Sequence, residues 1–343
     1  MNKDFLNKLL SELNADKNNS KNARVLIVDA MNTFLRSFAI IQHLNPNGHH
    51  VGGLVGFLKS VGYAIKLYQP SRVVLVFDGQ GNSTNKKYLY ADYKANRTNI
   101  KVTNWKVFGD KKEESESMAN QMGRLIEYCT QLPVSMISIP KIEADDVMGY
   151  LVQKFEADSE VDEVTIMSAD KDFLQLVSKK TSIYSPTKKK TYRPEDVLEE
   201  YQIHSHNFIN YKLLMGDSGD NVPGVAGLGP KKLIKLFPEL LLPKQLEISD
   251  LIKKARDNEE SNPLYTKVLQ FERQLGINYQ LMSLKDPNID DEDKRIIDET
   301  IEDAPPSLNI GNFVEMTEDD QLNERVNWQG WLIENFSSLD WKQ

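Results

Sequence analysis

The segment "VLIVD" at residues 25–29 is a run of apolar residues that ends in an aspartate. Two further runs have the same form, "VVLVFD" at 73–78 and "VTIMSADKD" at 164–172. Continuous β-branched runs are typical of strands that are buried on both faces of a parallel sheet. Helical patterns separate the runs, which predicts an α/β domain with a mostly parallel central sheet flanked by helices. These helical patterns lie at 53–67, 114–131 and 143–156.

In such a sheet the ligand site lies beyond the carboxyl ends of the strands, so the three runs deliver aspartates to one edge. The segment "IEADDVMGYLV" at 142–152 adds three acids at the start of a helix whose apolar face holds it against the sheet. Two more acids flank a later turn. The candidate metal ligands are therefore Asp29, Asp78, Glu143, Asp145, Asp146, Asp170, Asp172, Asp217 and Asp220.

Carboxylates that converge at one edge repel each other. Two unit charges about 4 Å apart repel by roughly 4 kcal/mol at an effective dielectric near 20, whereas a helix dipole offsets only about 0.3–1 kcal/mol per charge. Such acids must take up protons or bind cations. An oxygen-only set favours Mg²⁺, Mn²⁺ or Ca²⁺ over zinc, and two clustered ions are the arrangement used to hydrolyse phosphodiesters. The ordinary alternative for each single acid is a helix cap or a turn.

A basic segment at 80–112 follows the second of these strands. It contains eight lysines and arginines against two aspartates, with aromatic residues between them. Cations follow a phosphate backbone while aromatic rings stack on bases, so this composition favours a single-stranded nucleic acid over a solvated loop. The basic and aromatic residues are Lys86, Lys87, Tyr88, Tyr90, Tyr93, Lys94, Arg97, Lys101, Trp105, Lys106, Lys111 and Lys112.

The segment "GDSGDNVPGVAGLGPKK" at 216–232 is a turn-rich connection into a basic helix. Its glycine spacing is that of a P-loop, but Pro230 stands where the lysine is required, and no third glycine completes a dinucleotide fingerprint. A helix–hairpin–helix at about 206–237 that grips a DNA backbone fits the segment better. Its predicted DNA contacts are Gly227, Gly229, Lys231, Lys232 and Lys235.

Five ordered motifs, which together cover about residues 23–240, resemble the 5′-nuclease (flap endonuclease) family. That family includes the 5′→3′ exonuclease domain of DNA polymerase I and stand-alone phage enzymes. Ala169 and Gly219 stand where many relatives have glycine and serine, without removing a ligand. The motifs are "VDAMNTFLR" (28–36), "FDG" (77–79) with "YKANR" (93–97), "EADD" (143–146), "SADKD" (168–172) and "GDSGDNVPGVAGLGPKK" (216–232).

The resemblance implies a PIN-like fold and a metal-dependent 5′→3′ exonuclease or flap endonuclease that uses two Mg²⁺ ions, with Mn²⁺ as a substitute. It implies that the nine acids are metal ligands, some of them through water. Lys94 and Arg97 match the pair at the scissile phosphate, and Arg36 matches a further phosphate contact. Segment 80–112 corresponds to the helical arch, and the turn at 219–232 to the element that holds duplex DNA, often with a K⁺ ion.

The substrates that the resemblance implies are branched or nicked duplex DNA and, for RNase H-like primer removal during DNA replication, an RNA–DNA hybrid. A replicative polymerase or a single-strand-binding protein is the expected protein partner. Three alternatives use the same residues. A DNA-binding protein that has lost catalysis would lack ligands, and all nine are present. A phosphatase with Asp29 as its nucleophile generally requires a second acid two residues later, where this chain has Met31. A compact ribonuclease toxin of related fold would not need the long basic segment 80–112.

The composition fits a soluble globular protein, with 40% hydrophobic and 27% charged residues. The net charge of −8 argues against nucleic acid only as an average, because the charge is distributed in blocks. The single cysteine, Cys129, and the lack of a membrane-span or signal-peptide pattern favour the cytoplasm, or the host cytoplasm for a viral enzyme.

We expect a monomer with an N-terminal helix and linker at 1–22, a catalytic domain at 23–200 and a helical region at 201–343. Within the last region, 286–304 carries nine acids against Lys294 and Arg295 and is expected to be a solvated loop. The tryptophan-rich tail at 328–341 is expected to fold back on its own domain.

Overall fold

A six-stranded sheet forms the centre of the computed structural model, which describes residues 23–98, 103–323 and 326–339. The strands are β1 (Arg24–Asp29), β2 (Arg72–Val76), β3 (Ser135–Ile137), β4 (Glu163–Met167), β5 (Thr181–Ser185) and β6 (Lys190–Tyr192). Their order in the sheet is β3-β2-β1-β4-β5-β6; β1 to β5 are parallel, and β6 pairs antiparallel with β5. This confirms the predicted mostly parallel sheet.

The described helices are α1 (Ala30–Ile40), α2 (Gly52–Tyr68), α3 (Thr84–Leu89), α4 (Lys111–Cys129), α5 (Ala144–Ala157), α6 (Pro194–Tyr201), α7 (Phe208–Met215), α8 (Pro230–Leu236), α9 (Ile248–Asp257), α10 (Pro263–Gln270), α11 (Glu272–Met282), α12 (Asp291–Glu302), α13 (Ile310–Asp319) and α14 (Trp328–Phe336). Helices α2, α4 and α5, which lie between the strands, begin and end close to their predicted bounds. The predicted helix within 1–22 falls outside the described residues.

The parallel register brings the strand-end acids to the same edge. Val28 of β1 pairs with Leu75 of β2 and with Met167 of β4, so the three strands end almost level. Asp29 is the last residue of β1, and Asp78 and Asp170 follow the ends of β2 and β4 within a few residues. The arrangement inferred from the apolar runs is therefore the one the sheet adopts.

Alternate strand residues face two separate cores, as the two-residue period of a strand requires. Leu26 and Val28 of β1 face a core built with α1, α2, α4 and the C-terminal helices α13 and α14. Val25 and Ile27 face a core built with α5 and α12. A third core joins α7 to α11 and includes Tyr93 from the segment that follows β2. The α/β layer and the helices α7 to α11 thus have their own apolar centres.

The expectation of a solvated loop at 286–304 is wrong, because most of this segment forms α12. Asp290 caps the helix by accepting a hydrogen bond from the Asp293 amide at 2.9 Å. Ile297 and Ile301 are buried against the sheet, while Arg295 and its acidic partners face solvent. The many acids cover only the outer face of an amphipathic helix.

The tryptophan-rich tail folds back, as expected, and it does so against α2. Trp328 is buried in the first core, and the ring of Trp331 lies against Gly62, where a Cβ would approach it to 2.6 Å. Residues 340–343 lie outside the described part of the chain. The boundary near residue 200 between a catalytic domain and a helical region stays a prediction. Helices α12 to α14, which follow this boundary in the chain, pack on the faces of the sheet.

Cys129, at the end of α4, is fully buried in the first core and forms no disulfide. Burial raises the pKa of its thiol to about 12. Within the three described ranges, no helix has the length and apolar character needed to span a bilayer.

Gly149 allows α5 to approach the backbone that follows α11. A Cβ at Gly149 would lie 2.2 Å from the Leu284 carbonyl oxygen, whereas a Cβ at Gly123 in α4 would meet nothing within 4 Å. Gly149→Ala should therefore lower the free energy of unfolding by roughly 1–3 kcal/mol. Gly123→Ala, the matched control, should raise it by about 0.5–1 kcal/mol, since alanine favours a helix. Denaturant unfolding measures the free energy of unfolding of both variants. A Gly149→Ala protein as stable as the wild type would contradict the close contact between α5 and the Leu284 backbone.

Candidate active site

Asp29 is a nearly buried carboxylate at the junction of β1 and α1. Its Oδ1 accepts a hydrogen bond from the Asn32 amide at 3.0 Å, and its Oδ2 accepts one from the Ser168 hydroxyl at 2.8 Å. Burial raises its pKa to about 7, and the nearby charges of Asp170 and Asp78 add to the rise. The three strand-end carboxylates therefore share one electrostatic neighbourhood.

Asp78 joins the end of β2 to the start of α5. Its Oδ1 accepts a hydrogen bond from the Ala144 amide, the first residue of that helix, at 3.0 Å. The next residue must be small, because a Cβ at Gly79 would lie 1.7 Å from the Ile139 carbonyl oxygen. Asp78 and Gly79 together place the acidic first turn of α5 at the edge of the sheet.

Lysines of the protein itself neutralise part of the acidic first turn of α5. The ammonium of Lys86 is buried 2.9 Å from both Glu143 Oε2 and Asp146 Oδ2, and Lys94 donates to Glu143 Oε1. Burial alone would raise the pKa of Glu143, but Lys86 and Lys94 hold it below its ordinary value. Some of the positive charge that the acids require therefore comes from segment 80–112.

Tyr93 links α5 to the later acidic turn. Its hydroxyl lies 2.9 Å from Glu143 Oε2 and 3.2 Å from Asp220 Oδ2. Burial and these two carboxylates raise the pKa of Tyr93, which keeps the phenol neutral and able to donate. Arg97 donates to Asp220 from the exposed side.

Lys212 on α7 forms a second internal bridge. Its ammonium lies 2.6 Å from Asp172 Oδ1 and 2.6 Å from Asp217 Oδ2. Burial raises the pKa of Asp172 to about 6 although Lys212 opposes the rise. Burial would also raise the pKa of Asp217, but Lys212 holds it below its ordinary value. Lys212 is not among the residues predicted from the sequence, because its bridge to Asp172 depends on the packing of α7.

The other four acids have no Lys or Arg partner at ion-pair distance among the described residues: Asp29, Asp78, Asp145 and Asp170. Burial, with the charge of Glu143, raises the pKa of Asp145 well above its ordinary value. As the described side chains stand, no three of His, Cys, Asp or Glu are grouped to share one metal ion. Asp29 and Asp78 instead accept the N–H and O–H bonds given above. The oxygen-only donors nevertheless suit a hard divalent cation, which would supply the missing positive charge.

The predicted arch includes α3 and a 3-10 helix, Ala95–Thr98, while Lys101 lies outside the described residues. Lys87 is exposed, and Tyr88 and Trp105 are among the most exposed aromatic residues, at 86% and 73%. These side chains are accessible to a ligand from the solvent.

Among the described residues, Arg36 forms no ion pair with any of the nine acids. Its guanidinium donates to Asn32 Oδ1 and to Thr187 Oγ1, each at 3.0 Å. The side chain therefore faces the tip of the β5–β6 hairpin. Asn32 Oδ1 also accepts a long bond of 3.4 Å from the Ala169 amide, so Arg36 is connected to the acidic loop only indirectly.

The predicted helix–hairpin–helix consists of α7, a turn and α8. Asp217 and Val222 form an antiparallel bridge within the turn, and Gly227 adopts φ +82°, a left-handed conformation that glycine tolerates. Gly229 precedes α8, and Pro230 is its first residue. The exposed lysines on this surface are Lys231, Lys232 and Lys235.

The comparison with known proteins agrees with this geometry. The family described as "5′-3′ exonuclease, N-terminal resolvase-like domain" matches residues 24–202. A 5′-3′ exonuclease of Bacillus subtilis is 32% identical over 248 residues, which cover 69% of this chain and 78% of that protein. The chain belongs to the 5′-3′ exonuclease family. The predicted family and enzyme class are thereby confirmed.

One further relative and one solved structure are also similar to this exonuclease. DNA polymerase I of Bacillus subtilis is 28% identical over 266 residues, which cover 76% of this chain but only 28% of the polymerase. The flap endonuclease of bacteriophage T5, solved with DNA and metal ions, matches this structure with a TM-score of 0.63 at 21% identity. The match covers 82% of this chain and 100% of the T5 chain. The latter likeness supports the 5′-nuclease fold.

Asp29→Asn should change how the stability of this exonuclease depends on pH. The Asp29 carboxyl has a folded pKa of about 7 against an ordinary 3.8, so protonation favours the folded state. The contribution of the Asp29 carboxyl to the free energy of unfolding is complete at pH values below its ordinary pKa. This contribution is lost as the pH rises through its folded pKa. A rise of about three pKa units corresponds to about 4 kcal/mol at most.

Without divalent ions, the wild type should therefore lose stability relative to Asp29→Asn as the pH rises from about 4 to 8. Chemical denaturation in the presence of a chelator, at a series of pH values, measures the difference between the two proteins. A difference that stays constant with pH would contradict the raised pKa of Asp29.

Proposed function

We propose that the chain is a metal-dependent, structure-specific 5′-nuclease that hydrolyses phosphodiesters near the 5′ ends of branched or nicked duplex DNA. RNA–DNA hybrids at primers are a second substrate in this proposal. It rests on one observation above all. Among the described residues, four carboxylates without a Lys or Arg partner lie at the edge of the sheet, beside a segment whose Lys94 and Arg97 contact the neighbouring acids. Family membership supports the same function.

Asp29, Asp78, Asp145 and Asp170 would hold the divalent ions, which we propose to be two Mg²⁺, with Mn²⁺ as a substitute. The remaining acids of the predicted set would complete the site directly or through water. When bound, such ions neutralise charge on the attacked phosphate and increase the acidity of water. The oxygen-only composition of the donors supports this choice of metal.

Lys94 and Arg97 would bind the scissile phosphate. The Lys94 side chain is 14% exposed and the Arg97 side chain 55% exposed, so each combines a carboxylate contact with access from the solvent side. Cationic donors aimed at the oxygens where negative charge develops provide the electrostatic stabilisation that such reactions need. Arg36 would contact a phosphate farther from the cut.

The exposed lysines of α8 would hold the duplex arm, with a K⁺ ion in the turn before this helix. The arch would receive the 5′ single strand, since Tyr88 and Trp105 are free to stack on bases. In this proposal the enzyme is a monomer in a reducing cytoplasm and works beside a replicative polymerase or a single-strand-binding protein. Cys129, buried and unpaired, is compatible with that setting.

Product mapping on flap, nicked and RNA-primed duplexes tests the function. With Mg²⁺, we expect cuts near the junction of a 5′ flap that leave 5′-phosphate and 3′-hydroxyl ends. A chelator should stop the reaction. Equal rates with Mg²⁺ and with chelator, or products released only from 3′ ends, would contradict the proposal.

A further inference from the structure

The part of the arch that carries Lys94 and Arg97 is hydrogen-bonded to the turn between α7 and α8. We name residues 92–97 the arch foot and residues 217–222 the hairpin turn. The Lys94 amide donates to the Asp220 carbonyl oxygen at 2.9 Å. Two side-chain amides add bonds in opposite directions: Asn221 Nδ2 donates to the Asp92 carbonyl at 2.8 Å, and Asn96 Nδ2 donates to the Ser218 carbonyl at 2.8 Å.

Both segments have an unfavourable backbone conformation at the contact. Lys94 has φ +56° and Asn221 has φ +59°, the left-handed region that residues with a side chain rarely occupy. Asparagine tolerates this region, but lysine does so only where the surroundings hold it. The Asp220 carbonyl accepts the Lys94 amide itself, so the hairpin turn supports the residue whose conformation is least favourable.

Apolar packing fixes the arch foot at one residue. Tyr93 is buried in the third core, whereas Asp92, Asn96 and Arg97 are exposed. The Lys94 amide bond to the Asp220 carbonyl holds the next residue of the arch foot. The two asparagine bonds, one on each side of Tyr93, add restraints on the flanking backbone and so help to set the direction in which Lys94 and Arg97 leave it.

We propose that Asn221 and Asn96 are positioning residues that act through Lys94 and Arg97. The inference deepens the proposed function and rests on it. Because the hairpin turn belongs to the element proposed to hold the duplex, ordering of this turn by a duplex arm also orders the phosphate-binding pair of the arch. Cleavage then depends on a bound duplex, and a single strand without one is cut slowly.

Asn221→Gly is the variant that tests this role, because glycine accepts a positive φ while removing the amide. Asn96→Ala removes the second bond independently. On a 5′-flap duplex with Mg²⁺ and saturating enzyme, each variant should slow the single-turnover rate, Asn221→Gly by about 10- to 100-fold, since a small misplacement of a catalytic group is costly. The Kd for the same duplex, measured in chelator, should not change. The preference of the enzyme for the flap duplex over a single strand should fall.

A double-mutant cycle separates positioning from general damage. If Asn221 acts through Lys94, Asn221→Gly should slow a Lys94→Ala enzyme by a smaller factor than it slows the wild type. Gln202→Gly is the matched control, since Gln202 also has a positive φ, +55°, at the end of α6. Its rate should equal that of the wild type.

Equal slowing in both backgrounds, an unchanged rate in Asn221→Gly, or a loss explained by a weaker Kd would each overturn the inference. The two proposals fail in different ways. If the wild type does not cleave the flap duplex with Mg²⁺, the proposed function fails. If the wild type cleaves it and the variants cleave equally fast, only the positioning role fails.

Discussion

Asp170→Asn is expected to abolish cleavage while leaving the affinity for DNA intact. Asp170 follows β4, has no Lys or Arg partner among the described residues, and adds its charge to the fields that raise the pKa values of Asp29 and Asp145. Asparagine keeps the Oδ1 acceptor that binds the Asp172 amide at 2.9 Å, so the local backbone should survive. The charge that would bind a divalent cation is lost.

The single-turnover rate on a 5′-flap duplex should fall by roughly 10³-fold or more, equivalent to about 4 kcal/mol of transition-state stabilisation. The Kd in chelator should stay the same or decrease slightly, because one negative charge is removed beside a polyanion. Asp158→Asn, at the far end of α5, is the control and should match the wild type. A full rate in Asp170→Asn would remove this residue from the proposed metal site.

Trp328→Ala is expected to have the largest effect on stability. Trp328 is 2% exposed, its indole nitrogen donates to the Leu322 carbonyl at 3.1 Å, and its ring contacts that of Trp331 edge-to-face at 5.2 Å. Replacing a buried tryptophan by alanine typically costs about 3–5 kcal/mol. The loss arises in the core that also contains Leu26 and Val28 of β1.

Because these residues share one core, the catalytic domain should unfold together with the tail in a single transition. Denaturant unfolding followed by both fluorescence and circular dichroism measures this. Trp105→Ala removes a 73% exposed tryptophan and should change the free energy of unfolding by less than about 0.5 kcal/mol. Two separate transitions, or a Trp328→Ala protein as stable as the wild type, would show that the tail contributes little to the domain.

The sheet and its acidic edge could be predicted because each strand carries its own signal. Asp29, Asp78 and Asp170 follow apolar runs that only a buried strand explains, and the carboxyl ends of parallel strands meet at one edge. The acids of α5 follow from the same pattern, since the apolar face of the helix determines where its first turn must lie. Local sequence therefore contained most of what placed these carboxylates.

The internal cations could not be predicted, because a lysine carries no sign of the acid that it will meet. Lys86 and Glu143 are 57 residues apart, and only the folding of segment 80–112 brings the ammonium to the carboxylate. Lys212 lies close to Asp217 along the chain, but its second partner, Asp172, depends on how α7 packs. A count of acids thus overstates the positive charge that must come from outside the protein.

Helix α12 was missed for a different reason. Acidic residues dominate its composition, and this charge favours the prediction of a solvated loop. The spacing of Ile297 and Ile301, which fits the buried face of a helix, is a weaker signal. The core contact becomes visible only when the sheet is present to receive those two side chains.

The burial of Cys129 has a practical consequence for following the nucleic acid. A thiol whose pKa is raised to about 12 stays protonated and shielded, so thiol-specific dyes should leave the folded wild type unlabelled. A single cysteine placed at Tyr88 or Trp105 would then be the only reactive one. One fluorophore could thereby report on a strand moving over the exposed surface, in a protein whose other side chains are unaltered.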